Sequence, residues 1–192
     1  MTKPEAERPL ELSLTRVLGA PRALVWSVWT EPEHAKQWWG PHGFTTPVYE
    51  ADLRPGGSLR VHMRAPDGEI FPQEGIFEIV DPPQRLVTVG AVEIAGSVAF
   101  EARTEIRLTE SDGKTTVRVL QTYSNLSPAA AGAIEGAPIG WSQQFEKLDT
   151  YLRMAIGPSR TGRTGLSSRS SRARRLDPQG PTATGSCSIR PP

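Results

Sequence analysis

The chain has 192 residues, with 22 Lys+Arg against 21 Asp+Glu and a single cysteine, Cys187. That length suits one domain with additional chain, and a lone thiol forms no internal disulfide, so the fold does not depend on oxidation. No apolar run approaches the ~20 residues of a membrane span and the start, MTKPEAERPLEL, has no signal-peptide apolar core, so the expected location is the cytoplasm. Charge is unevenly spread: residues 1–156 hold 15 basic and 20 acidic side chains, and residues 157–192 hold 7 Arg and one Asp. An acidic globular part carrying a basic tail is expected.

Residues 1–9 are polar and read as a flexible N-terminus. Leu10, Leu12 and Leu14 then alternate with Glu11 and Ser13, a first strand with one covered face. Pro21 suits the first turn of a helix burying Leu24, Val25, Val28 and Trp29. Thr30 followed three residues later by Glu33 reads as a capping box for a second short helix that ends near Trp39. Gly40-Pro41-His42-Gly43 is a turn.

Short strands follow. Phe44 to Leu53 contains Pro47, which makes it an edge or a bulged strand. Leu59, Val61 and Met63 alternate with Arg60, His62 and Arg64, which places His62 on a solvated face. Ile70 to Val80 is a longer strand interrupted by Pro72 and Gly75, and Arg85 to Val89 is a short one. Val98, Phe100, Ala102, Thr104, Ile106 and Leu108 share one face of the next strand, and Ser111-Asp112-Gly113 is a hairpin turn. Val117, Val119, Gln121 and Tyr123 share the covered face of the strand after it, where the Gln121 amide needs a partner.

Trp141, Phe145, Leu148, Leu152 and Ile156 recur at steps of four, three, four and four, one stripe of a helix over Ile139 to Ile156. Lys147 and Arg153 fall on its solvated back. Gly132, Gly136, Gly140 and Pro138 precede or open that helix, and their propensities predict a break near Gly136 to Pro138. Residues 157–192 are too poor in apolar groups to offset the entropy of ordering and read as a disordered basic tail. Its Arg169, Arg172, Arg174 and Arg175 have no aromatic residue among them, which argues against nucleic acid as a partner.

The chemistry-bearing motifs are few. His34, His42 and His62 share no metal-ligand spacing and no Cys-x-x-Cys pair exists, so no metal is expected. No nucleophile-elbow serine, phosphate loop or cofactor motif occurs, so no cofactor is expected. His42, in a turn between Trp39 and Phe44, and Glu74 are the weak candidates for acid–base work.

The order of elements is that of the helix-grip fold: an α+β architecture in which a curved antiparallel sheet of six to seven strands wraps a long C-terminal helix, with two short helices after the first strand. Local residues narrow the match. Pro21…Val25-Trp26…Trp29-Thr30-Glu31-Pro32-Glu33, Trp38-Trp39-Gly40-Pro41…Gly43-Phe44-Thr45, Asp52-Leu53-Arg54-Pro55-Gly56-Gly57, Met63 to Gly68, Pro82 to Leu86, and Gly140-Trp141 with Leu148 together resemble one branch of the SRPBCC (START-like) superfamily. That branch is named for similarity to the activator of the ninety-kilodalton heat-shock chaperone ATPase. The resemblance spans residues 10–156 and implies a deep apolar cavity between sheet and long helix. Relatives across the superfamily bind lipids, sterols, polyketides or plant hormones, and some cyclise polyketides. The namesake activator uses a related domain to contact the chaperone, and carries an N-terminal domain that has no counterpart here.

The leading expectation is therefore non-catalytic binding of a small hydrophobic or amphipathic molecule. Trp39, His42, Phe44, Met63, Phe77, Phe100, Gln121, Tyr123, Trp141 and Phe145 are the candidate ligand-binding residues. A polyketide cyclase or dehydratase-like enzyme is the first alternative, with His42 and Glu74 as its proton carriers, and a chaperone-contacting module is the second.

Overall fold

The structure, a computed structural model, describes residues 10–156. The expectations for residues 1–9 and 157–192, including Cys187 and the arginine cluster, lie outside the described residues.

The chain runs β1 (Leu10–Leu18), α1 (Arg22–Thr30), α2 (Pro32–Trp38), β2 (Thr45–Ala51), β3 (Ser58–Arg64), β4 (Ile70–Asp81), β5 (Arg85–Ile94), β6 (Ser97–Ser111), β7 (Lys114–Ser124) and α3 (Ala130–Ile156). The seven strands form one curved antiparallel sheet in the order β1-β7-β6-β5-β4-β3-β2. β1 and β2 are consecutive strands at opposite edges, so the α1–α2 pair must bridge the width of the sheet. Edge position and a register shift between Thr45 and Val48 accommodate Pro47, which has no N–H to give to a ladder.

Tight hairpins link the strands. Asp112 and Gly113 both have positive φ, at 52° and 69°, the pair of left-handed residues that a two-residue turn between twisted strands requires. Ala95 and Gly96 do the same between β5 and β6 at 53° and 75°. β5 accordingly runs to Ile94, five residues past the expected end at Val89. Gly90 is not a strand terminator. It pairs with Gly75 of β4, and a Cβ there would lie 2.5 Å from the Glu74 carbonyl oxygen, while one on Gly75 would lie 2.4 Å from the Val89 oxygen. The two backbones meet too closely for any side chain.

The core lies between the sheet and the helices. Trp38 is fully buried and donates its indole N–H to the Val28 carbonyl at 3.0 Å. Trp29, Phe77, Ile106, Val119, Phe145, Leu148 and Leu152 join the same cluster. The expected capping box is absent. The cap of α2 is Glu31, with no side-chain hydrogen bond, and the Thr30 hydroxyl donates backwards to the Trp26 carbonyl at 2.8 Å. Thr30 is still the last residue of α1, where that carbonyl is the nearer acceptor. Val98, expected on the covered face, is exposed, because a bulge between Val92 and Glu93 shifts the register at that end.

The largest departure is in α3. It begins at Ala130 and runs unbroken to Ile156 with Pro138 inside it. A proline there removes one helix bond and costs about 3 kcal/mol. Packing on both sides offsets this: Ala130, Ile134 and Ala137 lie against Phe100 and Tyr123, and Phe145, Leu148 and Leu152 are buried in the main core. Pro138 itself is on the exposed side.

Candidate functional site

Sheet and α3 do not meet everywhere. Between them is a cavity of about 430 Å³, mostly apolar in its lining, within the size range of small-molecule sites. Its origin is a row of small residues in register across three strands, Gly75 on β4, Gly90 on β5 and Ala102 on β6. Opposite them, α3 presents Gly132, Gly136 and Gly140, which also border the space. The four-residue repeat that suggested a broken helix is instead one bare face of a continuous helix. Small residues thus border the space from both the sheet and the helix.

Beside the bare row runs one that is polar at three of its four positions. Phe77, Thr88, Thr104 and Gln121 are paired in register from β4 to β7. The Gln121 amide is fully engaged at its oxygen, which accepts from the Tyr123 hydroxyl at 2.8 Å and the Trp141 indole N–H at 3.1 Å. Its Nε2 donates to the Thr104 hydroxyl at 2.9 Å. The indole can only donate, so the orientation of the amide is fixed. The part-buried Gln121 thereby finds partners within the cavity wall.

Burial pushes the Tyr123 phenol up to about 12 from its ordinary 10.0. The folded state thus holds this proton where the unfolded chain releases it, so the stability it contributes is complete below pH 10.0 and is lost as pH rises towards about 12. Tyr49, fully buried, is shifted upward in the same sense by desolvation. Denaturant midpoints measured from pH 9 to 12 should fall, and Tyr123→Phe should make that fall shallower.

The mouth of the cavity is built by the loop between α2 and β2. Trp39, Pro41 and Phe44 border the space from this loop. α3 grips it through three side chains. Lys147 Nζ donates to the carbonyls of Trp39, Gly40, Pro41 and Phe44 at 3.1, 3.0, 3.4 and 3.2 Å. Gln144 Oε1 accepts from the Gly40 N–H at 3.1 Å, and Gln143 Oε1 accepts from the His42 N–H at 3.1 Å. Lys147 is therefore not on a solvated back face. It is half-buried, and burial draws its ammonium below the ordinary lysine value. Four acceptors and no donor surround it, which favours the charged form.

The candidate residues sort by this geometry. Trp39 and Phe44 border the cavity from the loop, Met63 from β3 and Phe77 from β4. Phe100, Gln121, Tyr123 and Trp141 close the far side. Three others do not turn their side chains into it. His42 is exposed outside the mouth with its Nε2 3.3 Å from Glu146, because the turn carries its ring away from the sheet. Phe145 is buried in the core against Trp29 and Trp141, one helical turn from the bare face of α3, and does not border the cavity. Glu74 borders the cavity along β4, but its carboxylate is on the outer face, 3.1 Å from Arg60 Nε. Strand parity dictates this, since Arg60 pairs with Glu74 while Val61 pairs with the inward Gln73.

Gln144, Thr88, Thr104 and the glycine floor were not singled out from the sequence. Gln144 had a usable signal: it sits three residues after Trp141 and next to Phe145, between two covered aromatics of the lid stripe. No group of three or more His, Cys, Asp or Glu that could hold a metal ion occurs among the described residues. No helix among them is long and apolar enough to cross a membrane.

Comparison with known proteins agrees with this architecture. No curated protein matches the chain. Among solved structures, a protein of Nitrosomonas europaea is 30% identical, with 79% of this chain and 98% of that chain covered at a TM-score of 0.65. A protein of Mycobacterium smegmatis is 26% identical, covering 75% of this chain and 91% of that one at a TM-score of 0.64. The AHSA1 protein of Silicibacter pomeroyi, 20% identical with 76% and 99% covered, shares the fold at a TM-score of 0.61. The family model described as "Activator of Hsp90 ATPase homolog 1-like protein" matches residues 19–153. With its seven-stranded sheet closed by a C-terminal helix, the chain belongs to this family, a branch of the SRPBCC superfamily.

Proposed function

We propose that the domain binds a small, predominantly apolar molecule in the cavity between sheet and α3 and does not transform it. The observation that carries this reading is the cavity itself, about 430 Å³ between sheet and α3 with a mostly apolar lining. A core built only for stability is packed to the density of an organic crystal, and a void costs stability in proportion to its volume. A largely apolar space of this size is better explained by a guest. Burial of the guest's apolar surface at ~25 cal/mol per Å² drives binding, and the Gln121–Tyr123–Trp141–Thr104 network fixes the shape of one wall. A catalytic reading lacks support from the side chains named for it, since His42 stands outside the mouth and the Glu74 carboxylate is on the opposite face.

The test is titration of the full chain with Nile red, a neutral fluorophore that brightens in apolar surroundings, alongside native mass spectrometry of the purified protein. Saturable one-to-one binding with a raised Tm is expected, since a ligand that binds only the folded state stabilises it. Absence of saturable binding, for Nile red and for a panel of neutral apolar compounds, with no co-purified molecule, overturns the reading.

A further inference from the structure

We propose that the guest carries an uncharged hydroxyl group, and that Thr88 on β5 and Thr104 on β6 receive it on the sheet wall of the cavity. The inference rests on the binding reading above and narrows it to a chemical class. Both threonines border the cavity and pair with each other in register. Side chains along a strand alternate between its two faces, so residues two apart share one. Leu86, Ile106 and Val119 stand two residues before Thr88, Thr104 and Gln121, and all three lie in the main core with Phe145 and Leu148 of α3. Phe77, paired with Thr88 from the other side, lies there too. The two threonines are therefore on the covered face of the sheet, among apolar neighbours, where a polar atom needs a partner.

Thr88 keeps part of its surface accessible, and on this face the accessible space is the cavity. Its hydroxyl meets no hydrogen-bond partner among the described residues and is not sealed off, since the side-chain atoms both sealed and unpartnered there are Arg22 Nε and Gln144 Nε2. Thr104 Oγ1 accepts from Gln121 Nε2 at 2.9 Å, and a hydroxyl that accepts still has its own proton to give. The Gln121 oxygen does not take that proton's place as an opening, being occupied by Tyr123 and Trp141. Directly opposed residues of an antiparallel pair have Cβ atoms about 5 Å apart, so one oxygen reaches both hydroxyls. A guest hydroxyl accepts from Thr104 and donates to Thr88. An ether oxygen can only accept, and a hydrocarbon answers neither group.

Charge sets the other limit. Among the described residues no Lys, Arg or His borders the cavity. The carboxylate of Glu74 is engaged by Arg60 on the outer face. A carboxylate guest would enter with no counter-ion, and an unpaired buried charge is far more costly than a paired one.

The test uses four probes on one bicyclic skeleton: naphthalene, 1-methoxynaphthalene, 1-naphthol and 1-naphthoate. Affinities for the full chain are measured at pH 7.5, where 1-naphthol is neutral, by displacement of Nile red and by calorimetry. One hydrogen bond gained corresponds to roughly three- to tenfold in affinity, so 1-naphthol should bind about that much more tightly than 1-methoxynaphthalene. The naphthoate should bind at least ~10-fold more weakly than naphthalene. Thr88→Val removes the hydroxyl and keeps a branched side chain, and should bring the naphthol-to-methoxynaphthalene ratio to about one. Thr88→Ser keeps the hydroxyl and should retain the wild-type ratio. Equal wild-type affinities for 1-naphthol and 1-methoxynaphthalene, a ratio unchanged in folded Thr88→Val, or tightest binding of the naphthoate would overturn this inference and leave the binding reading intact. Failure of all four probes together with Nile red would instead count against the binding reading itself. The wild-type comparison decides even if a variant does not fold.

Discussion

Gly136→Phe is expected to abolish binding of Nile red while raising the melting temperature. Gly136 borders the cavity from the middle of α3, and a Cβ built on it meets nothing within 4 Å. Gly136 is itself exposed, so the substitution adds a ring at the open side of this space without moving backbone. Two terms act in the same direction on stability. Glycine inside a helix costs ~0.5–1 kcal/mol against a good helix former, and a phenylalanine side chain gains ~1.5–3 kcal/mol when it leaves water. Even with partial burial the gain should be about 1–2 kcal/mol, or roughly 2–8 °C in a chain of this size. The ring takes up the volume that a guest needs, so affinity should fall at least ~10-fold, a loss of about 1.4 kcal/mol or more. Calorimetric unfolding and Nile red titration of the same preparation give both numbers. A higher Tm with unchanged Nile red affinity would place the guest elsewhere. A lower Tm would mean that the space opposite Gly136 is already filled.

The opposite responses of stability and binding identify a binding site because a purely structural residue links the two. A substitution that damages the core lowers both. Only at a cavity held open for a guest does filling improve the empty protein and disable the occupied one. Gly75 and Gly90 cannot be used in this way, although they border the same space, because the backbone oxygens of Val89 and Glu74 lie where their Cβ atoms would go. The lid is the tractable side.

What the sequence disclosed follows the range of the interaction concerned. Alternation along β6 and β7 and the stripe through Trp141, Phe145, Leu148 and Leu152 are local periodicities, and both elements are where those periods place them. Facing of residues within a strand was equally legible, which is why Met63, Phe77, Phe100, Gln121 and Tyr123 come together around one space. The failures are tertiary. Pro138 and three glycines argue locally for a broken helix, and only the packing of Ala137 and Phe145 on either side shows why the helix continues. Gly90 argues locally for the end of a strand, and only its partner Gly75 explains it. His42 lies between the cavity residues Pro41 and Phe44 in sequence, yet its ring is exposed and stands beside Glu146. Lys147 was assigned to solvent from its helical angle alone, and that angle carries no information about a loop a hundred residues earlier.

That loop gives the second large effect. Lys147→Met should destabilise the protein by about 2–4 kcal/mol and loosen the mouth of the cavity. The ammonium has three protons and faces four carbonyl oxygens within 3.4 Å, those of Trp39, Gly40, Pro41 and Phe44. Carbonyls of consecutive residues converge on one point only when something positive holds them there, since their dipoles repel. A hydrogen bond to a charged group contributes roughly 1.5–3 kcal/mol, and several are lost together, while the cost of half-burying the ammonium is recovered. The Trp39 oxygen keeps its bond from the Thr46 hydroxyl at 3.0 Å and the Pro41 oxygen keeps its bond from the Phe44 N–H at 3.2 Å, while the Gly40 and Phe44 oxygens lose this donor outright. Methionine has the length of the lysine stem and no donor, so packing changes little and the loss reports the polar clasp. Lys147→Arg should recover only part of it, because a planar fork cannot aim at four oxygens gathered around a point. Urea unfolding measures the energy, and amide exchange across residues 39–44 locates it: faster exchange confined to this loop, with β5 to β7 unchanged, is the expected pattern. A loss within 0.5 kcal/mol, roughly the spread of ordinary surface substitutions, with unaltered exchange in the loop, would show that the clasp is incidental and that Gln143 and Gln144 hold the mouth alone.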